Sequence, residues 1–253
     1  MVGLLTISPA LAFASVGAVM LGGALQGFSG FGFSLVIVPI LSLIFVPAEA
    51  VAGAMVLQCL LGIYSCWRTA NFINKPIISA LVMGAVIGTP VGLWALLSLP
   101  ESWIRLIIAV LVLGTVVQLR HKTVRHGVPR RSWSTLAGTV SGVMNGVAGL
   151  SGPPAVLLLH ASTLGVQEIR ATLNAFVSIA DVIALVPLMA VDKISVFSLG
   201  QFTALFPSVW LGWQGGSWLL NRVDARYHRY VAITILGIIS ILTLASATLG
   251  LLK

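Results

Sequence analysis

The sequence predicts an all-α polytopic membrane protein made of two inverted repeats, each a broken, re-entrant-like helical hairpin followed by three transmembrane helices. Three observations carry this prediction. Apolar residues are 58% and charged residues 8% of 253, with a mean hydropathy of +1.07, a balance foreign to soluble domains. The apolar runs are long and do not alternate, which excludes barrel strands and leaves helices as the only way to satisfy the backbone in lipid. Two Gly-rich interruptions recur at matching places in the two halves of the chain.

The first element, Ser8 to Val46, lies in a charge-free start that runs from Met1 to Ala48 and is interrupted by Gln-Gly-Phe-Ser-Gly-Phe-Gly at 26 to 32. No Lys or Arg precedes its apolar run, which is too long for a signal-peptide core, so it reads as mature sequence. Three helices of membrane-crossing length follow, at about 49 to 67, 76 to 97 and 103 to 119. The second broken stretch, 132 to 165, carries Asn-Gly-Val-Ala-Gly-Leu-Ser-Gly-Pro-Pro at 145 to 154. Its second arm, Pro153 to Thr163, offers only about 16 Å of helix against a hydrocarbon core of about 30 Å, so a hairpin of partial helices is expected. Helices at about 169 to 190, 196 to 219 and 229 to 250 complete the chain. The expected division is 1–119 for the first repeat, 120–131 for a basic cytoplasmic connector and 132–253 for the second repeat.

The net charge of +8 reflects topology signals on loops rather than an acidic partner. With each hairpin entering and leaving on one side, one face collects Arg68, Lys75, Arg120, Lys122, Arg125, Arg130, Arg131, Arg170, Arg222, Arg226 and Arg229. The other collects Arg105, Lys193 and Lys253. This asymmetry places the connector in the cytoplasm and both termini outside. Cys59 and Cys66 lie seven apart on one helix, roughly 10 Å along its axis, too far for a disulfide.

The internal repeat has two registers. A shift of 119 residues lays Gly23, Gly27, Gly30 and Glu49 over Gly142, Gly146, Gly149 and Glu168, with Gln26 over Asn145. A shift of 124 lays Gly88, Gly92, Trp94 and Arg105 over Gly212, Gly216, Trp218 and Arg229. Interrupted segments at matching positions of inverted halves point to a substrate site near the bilayer midplane. Gly84, Gly88 and Gly92, echoed by Gly212 and Gly216, form small-residue faces for close helix packing.

At each break a helix restarts inside the membrane and presents unpaired N–H groups and the positive end of its dipole, an arrangement that binds anions without Lys or Arg. The expected anion-binding residues are Gln26, Gly27, Ser29, Gly30, Gly32 and Ser34 at the first break. At the second they are Asn145, Gly146, Gly149, Ser151, Gly152 and Pro153, with Asn174 reaching the same cavity. The alternative is that these glycines are packing contacts and the polar side chains satisfy one another. Asp181, midway along its helix, reads either as a proton-coupling carboxylate or as a structural partner. Arg170 reads as a gate at the cytoplasmic mouth, where Glu168 either pairs with it or caps the helix. His160 has no partner at ligand spacing, and no metal or cofactor is called for.

The segments 27 to 39 (Gly-Phe-Ser-Gly-Phe-Gly-Phe-Ser-Leu-Val-Ile-Val-Pro) and 145 to 157 (Asn-Gly-Val-Ala-Gly-Leu-Ser-Gly-Pro-Pro-Ala-Val-Leu) resemble the paired motifs of the sulfite exporter TauE/SafE family. The resemblance covers nearly the whole chain. It implies a multi-pass transporter of the bacterial inner membrane that moves sulfite, sulfoacetate or a related organosulfur or carboxylate anion, often outward. The expected partners are that anion, the lipid bilayer and, through Asp181, protons; a homodimer is a further option, and nucleic acid is excluded. An anion channel is the competing function. An enzyme is not expected, because the sequence holds no HExxH motif, paired acids or Cys/His set.

Overall fold

The computed structural model describes residues 9–29, 31–120, 127–190 and 196–220, with Arg222, Thr234, Gly237 and Ile238 besides. Among these residues the chain forms ten α-helices: α1 Pro9–Ser29, α2 Phe33–Ile44, α3 Pro47–Thr69, α4 Lys75–Ser98, α5 Glu101–Arg120, α6 Arg131–Ala148, α7 Gly152–His160, α8 Val166–Ala190, α9 Val196–Thr203 and α10 Phe206–Leu220. A short 3-10 turn, Ala70–Phe72, joins α3 to α4. The helix expected at about 229 to 250 and most of the 120 to 131 connector lie outside the described residues. Among the described residues four helices are long and apolar enough to cross a membrane: Pro47–Trp67, Lys75–Ser98, Glu101–Gln118 and Val166–Ala190. Cys59 and Cys66 are both free and half-buried on α3.

Local sequence sets the helix ends. Asn74 caps α4, its side-chain oxygen accepting from Ile77 N–H at 3.1 Å, with Pro76 in the first turn where its missing N–H costs nothing. The same residue ties α4 to α8: Asn74 Nδ2 donates to Glu168 Oε1 at 2.7 Å and Asn74 N–H to Thr172 Oγ1 at 3.0 Å. Arg105 on α5 donates from Nε to the Ser42 carbonyl at 2.8 Å and from its guanidinium to Glu101 at 3.0 Å. A cation thus sits at the C-terminal end of α2, where the helix dipole favours it.

One span differs from expectation. The run expected as a single helix from 196 to 219 is divided into α9 and α10 by a turn at Ala204 and Leu205. Pro207 fits the division: in a continuous helix its ring would meet the carbonyl of Thr203, and its missing N–H would leave that carbonyl unpaired. α9 therefore stops at Thr203 and Pro207 falls in the first turn of α10, where it is tolerated.

Both broken stretches fold back on themselves. Gly22 on α1 lies against Phe33 and Ile37 of α2, and Gly32 lies against Leu25, so α2 returns along α1. At twelve and nine residues, α2 and α7 are about 18 and 14 Å long, too short to cross. α2 is apolar all round and buried on nearly every face, from Phe33 and Leu35 through Pro39 to Leu41 and Ser42. A helix of that composition belongs inside protein. Enclosure by neighbouring helices is what lets a helix end lie at membrane depth.

Two parallel helix pairs bind the halves together. In α4 and α6, Gly138 packs on Leu81, Gly142 on Ala85 and Gly146 on Thr89, while Gly84, Gly88 and Gly92 pack on Thr135, Thr139 and Val143. In α1 and α10, Gly23 packs on Val209 and Gly27 on Trp213, while Gly212 and Gly216 pack on Met20 and Ala24. A Cβ at any of these positions would run into the facing backbone, so Gly is needed for the approach. The contacts of the second pair are those of the first under the two sequence shifts: Gly142 on Ala85 maps to Gly23 on Val209, and Gly88 on Thr139 maps to Gly212 on Met20.

A further contact between the halves is α3 on α8. Ser65 meets Asn174, Gly62 meets Ser178 and Cys59 meets Ser178; the numbers fall on one helix as they rise on the other, so the two run antiparallel. Large apolar side chains are exposed around the outside, among them Ile63, Ile87, Trp94, Val117, Val186 and Leu211, forming the lipid-facing surface.

Candidate functional site

The two helix breaks, far apart in sequence, meet around one small cavity. Phe31, Gly32, Phe33, Ser34 and Leu35 line it from the first break, and Gly149, Leu150, Ser151, Gly152 and Pro153 from the second. Gln26 of α1, Gln58 of α3, Val156 of α7 and Leu173 and Val177 of α8 complete the wall. Its volume is about 30 Å³, room for one or two waters.

Each break turns on a glycine with positive φ, and these two are the only such residues among those described: Gly32 at 100° and Gly149 at 66°. An L side chain is strained in that region. Gly149 closes α6 with a left-handed cap, its N–H donating to the Asn145 carbonyl at 2.7 Å.

The two restarting helices differ in what they offer. In α2, the Phe33 N–H donates to Gln26 Oε1 at 3.3 Å, while Val36 N–H bonds the Gly32 carbonyl. Ser34 and Leu35, whose N–H groups no intrahelical carbonyl can reach, line the cavity. With its oxygen on Phe33, the Gln26 amide keeps Nε2 as a donor. In α7, Pro153 and Pro154 occupy the first turn and supply no N–H, so the donors there are Gly152 N–H and the Ser151 N–H and hydroxyl. Gln118 of α5 reaches the same place, its Nε2 donating to the Pro153 carbonyl at 3.0 Å.

A second, larger cavity of about 270 Å³ is lined by Gln26 and Gly27 of α1, by Gln58, Leu61, Gly62, Ser65 and Thr69 of α3, by Arg170 and Asn174 of α8, and by Trp213 and Ser217 of α10. Gln26 and Gln58 are common to both cavities. Asn174 Nδ2 donates to Ser65 Oγ at 3.0 Å. Glu168 is engaged by Asn74, and among the described residues Arg170 has no acidic partner; the only ion pair between described side chains is Arg105 with Glu101.

The expected site residues therefore separate into three groups. Gln26, Gly32, Ser34, Gly149, Ser151, Gly152 and Pro153 surround the small cavity, while Gly27, Asn174 and Arg170 line the large one. Asn145, Gly146 and Asp181 line neither. Gly146 packs on the α4 backbone at Thr89 and Leu93. Asn145 and Asp181, 0% and 1% exposed, are neighbours where α6 meets α8, and their side-chain atoms have no hydrogen bond of full geometry among the described residues. Gly30 and the Ser29 side chain lie outside the described residues.

Sequence reasoning missed Gln58, which is 3% exposed and leaves its Oε1 unpartnered among the described residues. A lone amide within the apolar run of α3 was the available signal, since polar groups at membrane depth are costly. Among the described residues no group of His, Cys, Asp or Glu could hold a metal ion.

No curated protein and no solved structure matches the chain. The profile of the family described as sulfite exporter TauE/SafE matches residues 15–243, most of the chain. With its paired Gly-rich breaks and its apolar helices of spanning length, the chain belongs to the sulfite exporter TauE/SafE family of membrane transporters.

Proposed function

We propose that the protein is a secondary carrier that exports a small oxyanion, such as sulfite, sulfoacetate or a related organosulfur or carboxylate anion, across the bacterial inner membrane. The observation that carries this reading is that both helix breaks line one cavity. The α2 N-terminus brings its dipole and the Ser34 and Leu35 N–H groups to that cavity, and Gln26, Ser151 and Gly152 add neutral donors. Donors without formal charge suit a carrier, because a buried cation would hold the anion too tightly and cost several kcal/mol to desolvate in the empty state.

Two inverted repeats supply the moving parts. Supporting the inversion, the equivalent helices α3 and α8 pack antiparallel, and the α4/α6 pair mirrors α10/α1. In such folds one bundle rocks against the other around a fixed site. The cavity between the breaks is smaller than a four-atom oxyanion requires, and Gln26 and Gln58 separate it from the larger one. A path interrupted in this way favours a carrier over an open channel. Exit of an anion gains about 2.3 kcal/mol per charge from an inside-negative potential of 100 mV.

The test is a thermal-shift panel on the purified protein with sulfite, sulfate, thiosulfate, sulfoacetate and short carboxylates. A transported anion should raise the unfolding temperature with concentration, by the equivalent of about 2.7 kcal/mol at one hundred times its Kd. A panel in which no anion shifts the transition would sink the reading.

A further inference from the structure

The larger cavity is the only place among the described cavities where an unneutralised cation faces open volume. Its about 270 Å³ compare with about 30 Å³ between the breaks, enough for an anion that still carries part of its hydration shell. Arg170 is half-buried in its wall. The acid nearest to it in sequence, Glu168, is bonded to Asn74, and Asp181 does not reach the cavity. Arg170 is the fifth residue of α8, so it brings a positive charge, unpaired among the described residues, to the mouth end of the cavity, where an incoming anion meets it.

Two of the surrounding polar groups, Ser65 and Gln26, keep a donor to give, while Thr69 and Ser217 have spent theirs on backbone carbonyls. Ser65 Oγ accepts from Asn174 Nδ2, which leaves the Ser65 hydroxyl proton free to be given away. Thr69 has already donated to the Ser65 carbonyl at 2.8 Å. Gln26 has its oxygen on Phe33 N–H, so Nε2 is its remaining donor. Thr69, Ser65, Leu61 or Gly62, and Gln58 form one stripe along α3 at three- and four-residue spacing. From the level of Thr69 and Arg170 to Gln58 that stripe descends eleven residues, about 16 Å. It ends at the two amides that also wall the inner cavity.

We infer that this cavity is an antechamber: a second anion site in which Arg170, helped by Ser65, holds the small oxyanion outside the closed Gln26 and Gln58 partition before it passes between the helix breaks. The inference rests on the carrier reading and adds a site to it. Gln58 is the movable leaf of the partition, because Gln26 is tethered to the α2 N-terminus while the Gln58 oxygen has no partner among the described residues. Arg170 supplies the charge where the anion is still partly hydrated, and the neutral donors take over where water has been stripped away. A cation at the mouth and none in the throat captures the anion without trapping it.

The experiment titrates the purified full chain in detergent with sulfite and with sulfoacetate, following intrinsic tryptophan fluorescence and thermal unfolding together. Trp213 is part of the antechamber wall, so anion binding there should change the fluorescence of the parent. In Trp213→Phe that change should be lost while the anion-induced thermal shift persists. Arg170→Gln should weaken the apparent Kd by about tenfold or more, the scale of a charge-assisted hydrogen bond, and Arg170→Lys should recover part of it, which also shows that the position tolerates substitution. If Arg170→Gln binds both anions like the parent, the antechamber is overturned while the carrier reading is untouched. If fluorescence responds equally in Trp213→Phe, the anion is not beside this wall and the antechamber is again overturned. If the parent binds neither anion, the carrier reading fails first and takes the antechamber with it.

Discussion

Gln26 has two jobs in this structure, and a pair of substitutions separates them. Its Oε1 accepts the Phe33 N–H at 3.3 Å in a buried setting, capping the helix whose N-terminus faces the inner cavity, and its Nε2 is the donor offered to an anion. Gln26→Leu removes both. Leaving a buried N–H without an acceptor costs about 1–3 kcal/mol, which for a chain of this length corresponds to an unfolding temperature lower by roughly 2–10 °C. Gln26→Glu keeps an acceptor of the same reach on Phe33 and replaces the donor with an oxygen that, when ionised, repels the substrate. Losing a hydrogen bond to a charged ligand costs about 1.5–3 kcal/mol, a fall in affinity of roughly ten- to a hundredfold. Thermal unfolding and calorimetric titration with the anion identified by the panel, both at pH 8, read the two effects. The expected pattern is a destabilised, non-binding Leu variant and a Glu variant near parental stability that binds weakly. Parental affinity in Gln26→Glu would remove the inner cavity from the transport path, and a Leu variant as stable as the parent would show that the cap carries no weight.

Three further expectations follow from the packing and the topology. Gly88→Ala and Gly212→Ala each push a methyl into a facing backbone carbonyl, of Thr139 and Met20 respectively, so both should lose about 1–3 kcal/mol of stability, whereas Gly114→Ala, with open space around it, should not; equal melting of all three would refute the paired glycine interfaces. Asp181 lies outside both cavities and against Asn145, so Asp181→Asn should leave both anion binding and the response of transport to a pH gradient as in the parent, and a lost gradient response would put the carboxylate on a proton path instead of at a helix contact. Single cysteines at positions 126 and 253 should label from the cytoplasm and from outside respectively; labelling from one side only would contradict the inverted arrangement.

The spans were legible because hydrophobic length is what the bilayer selects, and α3, α4, α5 and α8 begin and end close to where apolar length and the flanking Asn, Pro and Glu put them. The two helix pairings were legible because such packing needs glycine at fixed spacing: of the residues that align under the two shifts, Gly23 with Gly142, Gly27 with Gly146, Gly88 with Gly212 and Gly92 with Gly216 touch across α1/α10 and α4/α6. Pro207 was available as a breaker, but Pro39, Pro90 and Pro187 sit inside continuous helices, so proline alone did not decide where the 196 to 219 run would divide. At the site, the breaks were visible as Gly and Pro clusters, while the direction of each amide was not. Gln26 and Asn145 align in sequence, yet the longer Gln26 reaches forward to the N-terminus of its own hairpin partner, and Asn145 faces Asp181 across a helix interface. Whether a polar residue on a helix faces a cavity or a neighbour depends on rotation about the axis. In α3, where most positions are apolar, periodicity does not report it, and Gln58 went unseen for that reason.

The most direct test of the account is uptake of radiolabelled sulfite or sulfoacetate into liposomes holding the purified protein, with unlabelled anion varied on the far side. A carrier that closes around its substrate between two helix breaks predicts a rate that saturates with concentration and rises when anion is loaded in trans, with both features lost in Gln26→Glu. A flux that grows linearly with concentration, ignores trans anion and survives that substitution would contradict it.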